Sequence, residues 1–402
     1  MRVLYAFGLL VLIAFLGSRF LFRRSKVLSP WSFLLLSGLL YILLGLLLGK
    51  VGLNILSPDV LRELTPLICL GLGWLGFLFG FQLEYRYLRR FPGKYLGLSL
   101  IQTVFIFLLT VLCTLPLLRV LFPQEAAFLL AGMAVAFGIL WTIHSPSLIN
   151  AAAGSLPNKG NYYYLARFIT SISGFWGIVG LALLDSFWHY PFFKDQPLLY
   201  GILVFVGGTV LSVGMGFLFF ALTKKRPPEK DLLVFLLGFV FFVSGAAFYF
   251  NIPPLYTGMV LGITFSNFTR LHEVIYPLLF STEKNLYVVF LLLIGALWEF
   301  HLDVRIAALV LLLIVLRVAG EMLPLSAARR ILRFPFALPP RFGLSFLSTG
   351  GVGIAFAVSV KMSFPLPLTD VFLTAALISI LATELFSPLA LRWSLLKLDR
   401  NQ

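Results

Sequence analysis

Uninterrupted apolar runs of about 20 residues recur along the whole chain, each long enough to cross a ~30 Å hydrocarbon layer. No water is available in that layer to satisfy a backbone N–H or C=O, so only helices and closed barrels can span it. The runs are continuous rather than alternating, which selects the helix. Mean hydropathy is +1.00, and charged residues make up 12% of the chain, against roughly a quarter in soluble domains. The fold class is therefore an all-α polytopic membrane protein.

The runs divide into thirteen expected spans, at about 3–21, 31–49, 63–83, 96–116, 126–152, 163–185, 199–222, 231–250, 254–268, 285–300, 306–325, 342–361 and 370–392. The first could pass for a signal peptide. It lacks a clear small-x-small cleavage site and is followed by "FRRSK", so it reads as a spanning helix. The formal charge of +15 would suggest nucleic-acid binding in a soluble chain, but here the basic residues crowd into alternate loops. One side carries 22 of the 31 Lys and Arg, in groups such as Arg86, Arg89, Arg90, Lys94 and Lys224, Lys225, Arg226, Lys230. The other side carries seven. This places the N-terminus outside and the C-terminus in the cytoplasm of a bacterial-type inner membrane, with the bilayer as partner and no nucleic acid.

Two segments repeat. "GLLLGKVGLN" (45–54) and "GMVLGITFSN" (258–267) each hold GxxxG with an Asn nine residues after the first Gly. "FQLEYR" (81–86) and "FHLDVR" (300–305) close the span that follows each. The first copy starts inside and the second outside, so the copies run in opposite directions, as in secondary transporters. The expected organisation is an extra N-terminal helix and loop at 1–30 and a first inverted repeat at 31–185. Linker helices follow at 186–253, then a second repeat with a short cytoplasmic tail at 254–402. The fourth helix of each repeat is interrupted. Pro146 removes a backbone donor in "WTIHSPSLINAAAG" (141–154), and Gly350, Gly351 and Gly353 weaken "LSTGGVGIA" (347–355). Matched interruptions point to a substrate site, because half-helix ends present partial charges and free backbone groups to an ion. Thr142, Ser145, Ser348 and Thr349 flank the two interruptions.

Other chemistry is sparse. Cys69 and Cys113 lie in separate apolar runs, and His144, His189, His272 and His301 are scattered, so no disulfide framework or metal site is indicated. There is no GxSxG, HExxH or Walker-type loop, and no cofactor or enzymatic activity is expected.

Four blocks carry a family resemblance: "LGFLFGFQLEYRYLRR", "PPLYTGMVLGITFSN", "TEKNLYVVFLLLIGALWEF" and "LSTGGVGIAFAV". In order, spacing and topology the chain resembles the monovalent cation:proton antiporter superfamily, especially its bacterial sodium/proton exchanger and potassium-efflux branch. The resemblance implies a homodimer whose protomer has a panel domain and a six-helix core with two crossed, broken helices. It implies elevator-like alternating access, in which a monovalent cation and a proton compete for a carboxylate in the helix after the first broken one. The basic position of the family falls on Arg317, within a span. The acidic pair falls on Ser173 and Gly174, inside "TSISGFWGIVG" (170–180), and Val352 stands where the family often has Glu.

Antiport needs a group that either holds a proton or favours a cation, and neither Ser nor Gly titrates near neutrality. Candidates for that role, and for the partner of Arg317, are His144 at the first interruption and Glu384 near the middle of the last span. Glu321, one helical turn beyond Arg317, is a third. The leading expectation is an antiporter-like transporter with a displaced carboxylate. The alternatives are a carrier of small anions or weak acids that uses Arg317, and a transport-inactive sensor or scaffold of the same fold.

Overall fold

The computed structural model describes residues 2–21, 38–152, 160–188, 197–223, 229–268, 272–332, 334 and 339–396. Among these the regular structure is helical. In chain order the first helices are α1 (Arg2–Leu21), α2 (Leu39–Leu48), α3 (Pro58–Glu63), α4 (Thr65–Phe81), α5 (Gly93–Leu121), α6 (Ala127–Thr142), α7 (Pro146–Ala152) and α8 (Asn161–Trp188). There follow α9 (Pro197–Thr223), α10 (Glu229–Tyr249), α11 (Pro254–Phe268), α12 (His272–Leu297) and α13 (Val304–Leu332). A 3₁₀ helix at Pro340–Phe346 leads to α14 (Gly350–Ser363) and α15 (Pro367–Leu391).

Among the described residues six helices are long and apolar enough to cross a membrane, or seven if the Pro340–Phe346 turn and α14, bent by 64° from each other, count as one span. Four shorter apolar helices join them: 3–16 of α1, α4, α6 and 286–297 of α12. Thirteen spans were expected. Residues 31–37 of the second lie outside the described residues, and α11 has only 15 residues. The expected span 285–300 begins earlier, since α12 starts at His272. The helix runs through Glu283 and Lys284, which are charged but good helix formers. Many of the loop cations, including Arg23, Arg24, Lys159, Lys224, Lys225, Arg226 and Arg270, fall outside the described residues, as does His189.

The chain divides into two compact units. The first gathers α1–α4 and α9–α12. Its tightest seam joins α4 to α11, where glycine removes the side chains that would hold the backbones apart. A Cβ on Gly258 would collide with the Gly73 carbonyl, one on Gly262 with that of Phe77, and one on Gly76 with that of Leu255. The earlier GxxxG behaves alike: Gly45 and Gly49 of α2 and its end lie against the Leu292 and Ala296 backbone of α12. Both GxxxG pairs are thus close helix crossings. The two asparagines differ. Asn267 clamps the "FQLEYR" block, donating to the Leu83 carbonyl at 3.1 Å and accepting from the Tyr85 N–H at 2.7 Å. Asn54 instead turns the chain at φ +51°, a left-handed conformation that asparagine tolerates better than most residues.

The second unit gathers α5–α7, α8 as far as Leu184, and α13–α15 with the 3₁₀ turn. Here α5 packs on α6 and α13, while α13 and α15 enclose the 3₁₀ turn. Both expected interruptions are present in it. The helix α6 stops at Thr142, Ile143 is extended (φ −80°, ψ 128°), and Pro146 opens α7, where its missing N–H costs no helical bond. The second break, 347–349, separates the 3₁₀ turn from α14. Gly350 adopts φ +59° there, a conformation open to glycine at little cost.

Candidate functional site at two crossed helix breaks

The two interruptions meet. The Ser145 N–H donates to the Ser348 carbonyl at 2.9 Å, a backbone bond between the breaks. Every residue of the surrounding site lies in the second unit.

A helix break in an apolar interior leaves carbonyls at one end and N–H groups at the other without partners. Opposite charges answer each. Arg317, fully buried on α13, reaches the carbonyl ends of both broken helices. Its Nη1 donates to the Trp141 carbonyl. Its Nη2 donates to the carbonyls of Ile143 at 3.1 Å, Phe346 at 2.8 Å and Leu347 at 3.5 Å. The guanidinium also lies over the Trp141 ring, 5.2 Å from its centroid, and the Trp141 indole donates to the Leu313 carbonyl at 3.0 Å. At the amino end of α14 stands the Glu384 carboxylate, 3% exposed. Its Oε1 accepts from the N–H groups of Thr349 at 2.8 Å and Gly350 at 2.7 Å. The Ser348 hydroxyl donates to the same carboxylate, at 3.0 and 2.9 Å from its two oxygens. A cation on carbonyl ends and an anion on an amino end both follow the sign of the helix dipole.

Between them lies a second carboxylate. Glu321, one turn along α13 from Arg317, pairs with its Nη1 at 3.2 Å, the i,i+4 geometry expected from the sequence. The same Oε1 lies 2.7 Å from His144 Nε2, and Oε2 accepts from the Gln102 side-chain amide on α5. His144, fully buried in the first break, has its Nδ1 2.5 Å from the Ser173 hydroxyl on α8. The Phe346 ring packs edge-on against the imidazole, 5.6 Å between centroids. Glycine brings α8 close enough for this contact: a Cβ on Gly177 would collide with Ile143, and one on Gly180 would crowd Ile139. "TSISGFWGIVG" therefore supplies both the approach and the hydroxyl.

Most sequence candidates converge. His144, Ser173, Arg317 and Glu321 form one network, while Ser348, Thr349 and Glu384 form its neighbour across the Ser145–Ser348 bond. Ser145 contributes its backbone N–H to that bond. Gly174 is buried beside Ser173 and adds no polar group. Thr142 turns its hydroxyl back to the Ile139 carbonyl at 2.7 Å, closing its own helix. Gln102 was missed, although an amide inside an apolar run is itself a signal, because such groups are costly in a membrane and need a partner. The half-helix carbonyls that bind Arg317 carry no sequence signal at all.

Discontinuous helices that meet within a bundle and hold buried charges at their ends are the construction of secondary membrane transporters. The transmembrane model of the sodium/hydrogen exchanger family matches residues 9–397, and the chain belongs to that family. Its fold is similar to that of the sodium proton antiporter MjNhaP1 from Methanocaldococcus jannaschii at pH 8, with 17% identity, a TM-score of 0.68 and 99% of each chain covered. An electron-microscopy structure of the same antiporter is similar at 15% identity and a TM-score of 0.60, covering 89% of this chain and 90% of that one. No curated protein matches the chain significantly by sequence.

Proposed function

We propose that the protein is a secondary transporter that exchanges a monovalent cation for protons by alternating access, through a site without the usual acidic pair. Family membership supports the class of activity. The observation that carries the reading is the charge inventory of the crossing. With Arg317 protonated and both Glu321 and Glu384 ionised, the crossing holds one positive and two negative charges. With a neutral His144 the centre carries one net negative charge, which either a proton or a monovalent cation would balance. That is the competition exchange requires, obtained without an acid at Ser173 or Gly174.

The same inventory weighs against an anion carrier. Nη1 and Nη2 of Arg317 are taken by four carbonyls and Glu321, and Glu384 already occupies the amino end of α14. The amino end of α14 and both terminal nitrogens of Arg317 are thus filled from within, although the buried Nε of Arg317 has no hydrogen-bond partner among the described residues. In the same proposal, 31–185 and 254–402 are the inverted repeats, 186–253 links them and 1–30 is additional. The working form is a homodimer in a bacterial-type inner membrane, with N-terminus outside and C-terminus cytoplasmic.

The test is full-length protein in liposomes carrying a pH-sensitive dye. Sodium, potassium or lithium gradients are imposed from about pH 6 to about pH 9, a range that includes imidazole titration. At least one cation should drive proton movement in the opposite direction. Silence for all three across that range rejects exchange and leaves the scaffold reading.

A further inference from the structure

We propose that the exchanged proton is carried by the imidazole of His144, and that Ser173 is the positioning residue that lets the ring accept and release it. The inference rests on the exchange reading above and names the group that performs it.

The geometry fixes one end of the ring and leaves the other free to change. An ionised carboxylate only accepts hydrogen bonds, so Glu321 Oε1, 2.7 Å away, holds a hydrogen on Nε2 in both protonation states. Glu321 is itself immobilised by Arg317 at 3.2 Å and by the Gln102 amide. The change must come at Nδ1, where the partner is the Ser173 hydroxyl at 2.5 Å. A hydroxyl both donates and accepts. With the ring neutral, Ser173 donates to the Nδ1 lone pair. When a proton adds to that lone pair, the new N–H donates to Ser173 Oγ. The serine hydrogen then turns to the Thr170 carbonyl, 3.3 Å from Oγ on the preceding turn of α8. Both states satisfy every polar atom involved, and no heavy atom has to move.

This gives Ser173 a physical reason to replace an acid. A carboxylate there could only accept from Nδ1, and with Glu321 on the other nitrogen it would hold the ring permanently charged. Serine leaves both states open. The charged groups acting on the ring are Glu321 and Arg317, both from α13. The other facing elements present Gln102 from α5, Ser173 from α8 and Phe346 from the 3₁₀ turn, none of which titrates near neutrality. Glu384 of α15 bonds Ser348, Thr349 and Gly350 instead.

The experiment compares full-length wild type, His144→Gln, Ser173→Ala and Ser173→Thr in liposomes, reading the pH midpoint of cation-driven proton movement. His144→Gln should abolish that movement. Ser173→Thr keeps the hydroxyl and should keep the wild-type midpoint. Ser173→Ala loses a bond that is stronger to the charged ring than to the neutral one, so its midpoint should fall by about one pH unit. A His144→Gln protein with the wild-type pH profile overturns the assignment. So does a Ser173→Ala protein whose midpoint is unmoved, or one that is inactive at every pH. If His144→Gln does not fold, the two serine variants decide. A wild type that moves no proton removes the exchange reading and this inference with it, whereas an active wild type with an unmoved Ser173→Ala midpoint removes the histidine assignment alone.

Discussion

Arg317 shows how one side chain can hold two broken helices at once. Four carbonyls and a carboxylate converge on its planar guanidinium, a fan of donors that an ammonium cannot reproduce. Arg317→Ala would leave those carbonyls buried without this donor and take from Glu321 its counter-charge, leaving it only His144 and Gln102. Breaking a buried pair in this way costs about 3–5 kcal/mol, so thermal unfolding of the detergent-purified protein should occur at markedly lower temperature, with Arg317→Lys rescuing only part of the loss. Glu384 separates structure from charge. In Glu384→Gln the amide oxygen can still accept from Thr349 and Gly350, so the fold should survive while proton movement in liposomes is lost; unchanged exchange would remove Glu384 from the charge inventory. The sequence made Arg317, Glu384 and His144 visible because titratable groups inside apolar runs are expensive and rare. It ranked Glu321 as secondary because an i,i+4 pair on one helix is ordinarily a local contact. That Glu321 also binds His144 and Gln102 depends on residues 177 and 219 positions away.

At the scale of elements, both breaks were legible and their geometry was not. Pro146 and the 350–353 glycines marked where hydrogen bonding would fail. Local propensity could not announce the 3₁₀ turn at Pro340–Phe346, which is held by α13: a Cβ on Gly343 would collide with the Glu321 carbonyl. Gly350 should be intolerant of change. At φ +59° an alanine costs about 1–2 kcal/mol, and any relaxation swings the N–H away from Glu384, so Gly350→Ala should lower both unfolding temperature and exchange rate. Gly177 tests the approach of α8 to α6. Its replacement by Leu would push Ile143 away and part Ser173 from His144. It is expected to shift the pH profile of exchange, as Ser173→Ala does, in addition to an overpacking cost of about 1–3 kcal/mol.

For the whole molecule, the orientation inferred from loop charge predicts that a cysteine introduced at the last residue, after Cys69 and Cys113 are replaced, reacts with a membrane-impermeant reagent from the cytoplasmic side only. Labelling from outside would reverse the inferred topology. By itself the sequence determined the solvent, the helical class, the places where helices fail and the family, because each is written in local quantities: run length, residue type and spacing. The two compact units were not legible this way, since each is assembled from segments far apart in the chain, as α1–α4 with α9–α12. Only the tertiary structure decided what the charged residues do. Ser173 and Gly174 read along the chain as a missing acid. In space Ser173 is a hydroxyl bonded to an imidazole, which is bonded to a carboxylate that also holds Arg317. Hydrogen-bond partners are set by where helices cross, and the crossing is set by glycines, backbone carbonyls and packing whose joint effect no single stretch of sequence contains.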